Sequence, residues 1–104
     1  MKKDPAKRVG DLLPSVLRGL GLEGRFEEGR LRAEWKRVVG EAIAERSRPL
    51  RVRGKTLLVE VQNSSWMNEI QFHRNEIVRK VNEEFPKLKI DEIRLQLERE
   101  RERE

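Results

Sequence analysis

The chemistry this sequence offers is concentrated in ten residues. Arg46 to Lys55, RSRPLRVRGK, holds five positive charges and no negative one. If the segment is extended, Arg51 and Arg53 project from one side of a strand, with Arg46, Arg48 and Lys55 at its ends. A cationic ribbon of this kind suits phosphate, since arginine binds through a planar fork of N–H donors and lysine as a point charge. Such contacts give sequence-independent affinity with steep salt dependence. Lys36 and Arg37, a little upstream, are candidate neighbours. The same charges would also protect an edge strand from aggregation, and the two roles are compatible.

Other chemistry is poorly supplied. The chain has one histidine, no cysteine and no tyrosine. That excludes a thiol nucleophile, a Cys-ligated zinc and a disulfide framework. His73 sits at the edge of an apolar stripe, with no second ligand at a metal-binding spacing. There is no paired acid and base and no glycine-rich, lysine-bearing phosphate loop. The expectation is a non-enzyme with no catalytic residues, no metal site and no cofactor. Gly21-Leu22-Glu23-Gly24 formally matches the GxxG backbone clamp of KH domains, yet the strand expected ahead of that motif's first helix is missing.

The elements that must position the ribbon follow from periodicity. Leu50 and Val52 alternate with Arg51 and Arg53, and Pro49 opens the strand. Gly54-Lys55 supplies a tight turn. Leu57, Val59 and Val61 then form an apolar face, with Leu58, Glu60 and Gln62 opposite. Asn63, Ser64 and Ser65 offer N-caps to a long helix from Ser65 to Phe85. Its core stripe is Trp66, Met67, Ile70, Ile77, Val78, Val81 and Phe85, with Arg74 inside it. Phe72 lies about 180° from the stripe's centre, which makes it a partner contact or an ordinary isolated exposed residue. Pro86 ends the helix. Ile93, Leu95 and Leu97 alternate with Arg94, Gln96 and Glu98 as a third strand. Leu88 and Ile90 are out of step with that series, so Asp91-Glu92 should be a turn or bulge.

Upstream, Met1 to Val9 reads as a loose basic lead-in. Asp11 caps a short helix with Leu12, Leu13, Val16, Leu17 and Leu20 on one face, ended by Gly19 and Gly21. Leu22 to Gly29 is a connector anchored by Phe26. A second helix from about Glu28 to Arg46 carries Leu31, Trp35, Val38, Val39, Ala42 and Ile43 on one stripe. Trp35, mid-stripe, belongs in the core. Gly40 falls off the stripe. A mid-helix glycine costs about 1 kcal/mol relative to alanine, so either another element approaches closely there or packing tolerates it.

At 104 residues the chain makes one domain. The net charge is +5 and unevenly spread: residues 1–58 carry 15 Lys and Arg against 8 Asp and Glu, and residues 59–104 carry 9 against 11. A basic front half points to a polyanionic partner, nucleic acid first and an acidic membrane surface second. The alternative is solubility with ion-pair networks. No signal peptide or membrane-spanning stretch is present, so a soluble cytoplasmic protein is expected, with no membrane partner. The organisation is a flexible lead-in over residues 1–9, a domain over 10–97 and a charged Glu/Arg tail over 98–104.

Trp35-Lys-Arg-Val-Val-Gly40, Arg48-Pro-Leu50, Gly54-Lys-Thr-Leu-Leu-Val-Glu-Val61, Ser64-Ser-Trp66 and Glu69-Ile70 form an ordered series. Together they resemble the small bacterial DciA family, over roughly Gly10 to Leu97. The resemblance implies an α+β, KH-like domain of order α-α-β-β-α-β, with a three-stranded sheet packed on helices. It also implies a role in chromosome replication, contacting the replicative helicase and DNA without an ATPase. The first reading is therefore a non-enzymatic DNA-binding adaptor for helicase loading on single-stranded or forked DNA, with the DNA on Arg46, Arg48, Arg51, Arg53 and Lys55 and with Lys36 and Arg37 nearby. A general RNA- or DNA-binding module without a helicase partner is the second. A structural homodimer through Phe72 or an edge strand is the third.

Overall fold

A computed structural model of the chain describes residues 22–98 together with Val16. The lead-in, the rest of the first expected helix and the tail beyond Glu98 lie outside the described residues. The described elements are α1 (Glu23–Ala33), α2 (Trp35–Val39), α3 (Glu41–Arg46), β1 (Ser47–Arg53), β2 (Thr56–Val61), α4 (Ser64–Phe72), α5 (Arg74–Glu84) and β3 (Glu92–Leu97). The class is α+β, with one three-stranded sheet packed on helices.

β2 is the central strand, antiparallel to β1 and parallel to β3. Its inward residues Leu57, Val59 and Val61 are each at most 1% exposed, the expected lot of a strand flanked on both edges. Full burial stabilises each such side chain by roughly 1.5–3 kcal/mol. They pack against Leu31, Trp35 and Val38 from α1 and α2, Ile70 from α4, and Ile77, Val81 and Phe85 from α5 and its end. Leu88, Ile90 and Ile93 complete the core. The parallel pairing of β2 with β3 requires a long crossover, which α4 and α5 provide.

The two long helices expected from the sequence are both broken. What reads as one helix from Glu28 to Arg46 begins earlier, at Glu23, and is interrupted at Glu34 and Gly40. Phe26, expected to anchor a connector, instead lies on α1 and is 43% exposed. Gly24 also falls inside α1, so it is not part of an open GxxG loop; Gly21 lies outside the described residues. Gly40 has φ 92 and ψ 162, a region open essentially to glycine alone. Nothing lies within 4 Å of where its Cβ would stand. The glycine therefore serves the backbone conformation and not a close approach. The break also resets the helical phase: Ala42 is exposed, while Ile43 and Ala44 pack against the core. The Ser65–Phe85 helix divides at His73, whose φ of −101 and ψ of 11 depart from helix geometry.

Polar side chains tie these short pieces together. Trp35 Nε1 donates to Ser47 Oγ at 3.1 Å, and Ser47 Oγ donates to the Ile43 carbonyl at 2.7 Å, joining α2, α3 and β1. Asn63 caps α4 by accepting from the Trp66 amide at 3.0 Å. Asn82 holds both backbone groups of Ile90, donating to its carbonyl at 2.8 Å and accepting from its amide at 3.0 Å. It thereby stands in for a missing strand partner in the loop before β3. The Lys55 carbonyl accepts from the amides of Asp91 and Glu92 at 2.8 and 3.3 Å, pinning the hairpin turn to the start of β3.

Two glycine substitutions should move stability in opposite directions. Gly40→Ala forces alanine into a positive-φ conformation and should cost about 1–3 kcal/mol. Gly29→Ala, inside α1 with open space around its would-be Cβ, should gain roughly 0.5–1 kcal/mol. Urea denaturation of both variants checks the pair, and equal effects would contradict the conformational account of Gly40.

Candidate nucleic-acid interface

The arginines of β1 are aligned by an irregularity in its pairing. Arg48 sits opposite Glu60 and Pro49 opposite Val59, but the register then shifts, so that Arg51 faces Leu58, Val52 faces Leu57 and Arg53 faces Thr56. Leu50 is the extra residue of a β-bulge. Strict alternation had placed Leu50 with Val52 on one apolar face; instead Pro49 is the buried residue and Leu50 and Val52 are half-buried. Because partners across an antiparallel pair share a face, Arg48, Arg51 and Arg53 all leave from the side that carries Leu58 and Glu60, away from the core. β3 adds Glu92, Arg94 and Gln96 to that outer face, opposite Thr56, Leu58 and Glu60.

The expected ribbon is not uniform. Arg48 Nε donates to Glu60 Oε1 at 2.8 Å, and Glu60 is only 4% exposed. Arg48 therefore compensates a carboxylate removed from water, a structural duty. Arg46, at the end of α3, lies over the Trp66 ring at 5.3 Å and 3.9 Å from Glu45. Trp66 itself is half-buried against the core. Arg37 is held by Glu34 and, at 2.8 Å, by Glu84. Hydrogen bonding to Glu34 and then Glu84 pushes its pKa further up, and the same bond from Arg37 keeps the Glu34 carboxyl below its ordinary value. Lys36 is exposed on α2, beside a cavity of about 480 Å³ that also touches Trp35, Ser47 and Arg48. Lys55 is exposed in the turn. Arg51 and Arg53 are exposed and make no ion pair among the described residues.

Three cations escaped sequence reasoning. Arg32 of α1 donates from Nη1 to the Leu50 carbonyl at 2.9 Å, bracing the bulge, and with Arg25 and Arg51 it lines a polar cavity of about 370 Å³. The bulge creates that acceptor, and no sequence pattern announced it. Arg94 lies across Leu58 from Arg51; its outward position was readable from the Ile93-Leu95 alternation, but its neighbours were not. Trp35 and Gly40 have structural roles, as the fold makes plain. Phe72, at the end of α4, is 85% exposed.

The outer face thus presents Arg51, Arg53 and Arg94 exposed, with Lys55 in the adjoining turn. No group of three or more potential metal-ligating side chains occurs among the described residues. His73 is exposed and 3.3 Å from Glu69. No helix among the described residues is long and apolar enough to cross a membrane.

Comparison with known proteins gives the chain a family. A UPF0232 protein of Mycobacterium marinum is 25% identical over 79 residues, covering 76% of this chain and 42% of that protein. A UPF0232 protein of Rhodococcus jostii is 27% identical over 79 residues, with the same coverage of 76% and 42%. One from Mycolicibacterium smegmatis is 23% identical, covering 76% of this chain and 40% of its own length. The chain thus spans less than half the length of these relatives. The family model described as "Dna[CI] antecedent, DciA" matches residues 8–95. With that match running through every described element up to β3, the chain belongs to the DciA family.

Proposed function

We propose that this chain is a non-enzymatic DNA-binding adaptor that helps the replicative helicase onto single-stranded or forked DNA. The observation that carries the DNA half is the pair Arg51 and Arg53, exposed on one side of an edge strand and without a carboxylate partner among the described residues. An arginine left unpaired on a protein surface keeps its full capacity for a forked hydrogen bond to phosphate. Lys55 extends the contact as a mobile point charge. Arg46, Arg48, Lys36 and Arg37 add to the positive field from other positions, although Arg48 and Arg37 are already engaged with carboxylates. The helicase half is supported by membership of the DciA family.

The test is anisotropy of labelled forked DNA at two salt concentrations. Wild type should bind and weaken steeply as salt rises, and Arg51→Glu/Arg53→Glu should lose at least about tenfold in affinity at low salt. Arg48 is left intact because its substitution would uncover Glu60 and confound binding with stability. If the double variant binds as wild type does, the outer face is not the DNA site.

Phe72 favours a protein contact beside the DNA contact. A phenylalanine 85% exposed on a helix end gains little from the fold around it. Phe72→Ser should leave stability within about 0.5 kcal/mol and leave DNA affinity unchanged. It should weaken capture of the replicative helicase, measured by pull-down, or self-association, measured by sedimentation. If neither changes, Phe72 has no role in partner binding.

A further inference from the structure

We propose that the outer face of the sheet holds a seat for one nucleotide of a single strand, floored by Leu58 and gripped by Arg53 and Arg94. The strand then crosses the sheet from β1 to β3 and does not follow β1. This rests on the DNA-binding reading above and adds its path and its contacting residues.

The outer positions of the three strands carry arginine, threonine, glutamate, glutamine and one apolar residue, Leu58. Leu58 is half-buried at the middle of the central strand, with Arg51 and Arg94 opposite it on either side. Two interstrand spacings separate those arginines, about 10 Å at the backbone. A cavity of about 360 Å³ opens over Leu58, lined by Arg53, Thr56, Leu58 and Arg94. Its walls are two guanidinium groups and the Thr56 hydroxyl, which donates to Glu92 Oε2 at 3.3 Å, and its floor is aliphatic. A nucleotide has the complementary layout, with a flat ring of low polarity joined to an anionic phosphate.

Charge bookkeeping favours the same path. Arg53 makes no ion pair among the described residues. Arg94 has Glu92 at 3.6 Å, with the two side chains 69% and 50% exposed. A loose, solvated contact of that kind holds an arginine weakly, so Arg94 is available to a phosphate. A strand running along β1 would engage Arg51 and Arg53 without needing Arg94 or the apolar floor, whereas a strand crossing the sheet uses all of them. A duplex offers a flat face only phosphates, its bases being stacked inside, so the Leu58 floor selects an unstacked strand.

Binding of a fifteen-residue oligo(dT) over a series of salt concentrations tests the seat. Arg94→Gln should weaken binding about 3–10-fold and lower the slope of log K against log salt by about 0.7, the signature of one lost phosphate contact on a single strand. Leu58→Ser should weaken binding about threefold or more with the slope unchanged, because an apolar contact releases no counterions. Leu58→Met, which keeps the floor, should bind as wild type does. Arg79→Gln on α5, whose arginine pairs with Glu76 and Glu83, serves as a control and should match wild type. If Leu58→Ser fails to fold, the exposed Arg94 variant decides alone. If Arg94→Gln keeps wild-type affinity and slope while Arg51→Glu/Arg53→Glu has lost binding, the strand follows β1: the seat is overturned and the DNA reading stands. If wild type binds neither oligo(dT) nor forked DNA at low salt, both fall together.

Discussion

Without Leu50 as an extra residue in β1, alternation would send Arg48 and Arg51 to opposite faces of the sheet, because side chains change sides at every step. With it, Arg48, Arg51 and Arg53 share one face while Pro49 and Val52 both turn toward the core side. The bulge thus lets a short edge strand contribute to the core and gather cations on its outer face. It is braced from outside the sheet, since the carbonyl of Leu50 accepts from Arg32 on α1. The position of α1 against β1 and the alignment of the arginines are therefore one structural fact.

Around that arrangement the arginines divide by whether a carboxylate already holds them. Arg48 holds the buried carboxylate of Glu60, and Arg37 bridges Glu34 and Glu84. Arg46 is stacked over Trp66. Each of these fixes one element against another, and for Arg48 and Arg37 a carboxylate partly neutralises the charge before any partner arrives. Arg51 and Arg53 are in a different position, exposed and unpaired among the described residues, on the edge of a sheet whose central strand is packed tight. Rigid backbone with uncommitted cations is a suitable base for phosphate contact, because little ordering entropy remains to be lost in the strand itself.

Legibility in the sequence followed the range of the interaction concerned. Leu57, Val59 and Val61 were readable as a buried face because period-two alternation is local, and the Asn63 cap was readable because capping reaches only three residues. Gly40 is conspicuous in the sequence, but its role is not. A glycine that breaks a helix through positive φ and one tolerated inside a helix leave the same apolar periodicity on either side, and only the phase slip that exposes Ala42 separates them. The bulge at Leu50 was invisible because register belongs to a pair of strands, not to one. The same limit hid Arg94, whose place beside Leu58 depends on β3 pairing parallel to β2 across two intervening helices. The outward exposure of Phe72 was legible, since helical phase alone decides it.

Nucleic acid lying on the outer face of this sheet, as proposed, would perturb the resonances of that face. The most direct measurement is an amide and arginine Nε chemical-shift titration of the isotope-labelled chain with oligo(dT). The largest changes should fall at Arg51, Arg53, Leu58 and Arg94, with Phe72 and the exposed side of α5 unmoved. Changes concentrated on α4 and α5, with the outer face silent, would contradict that placement.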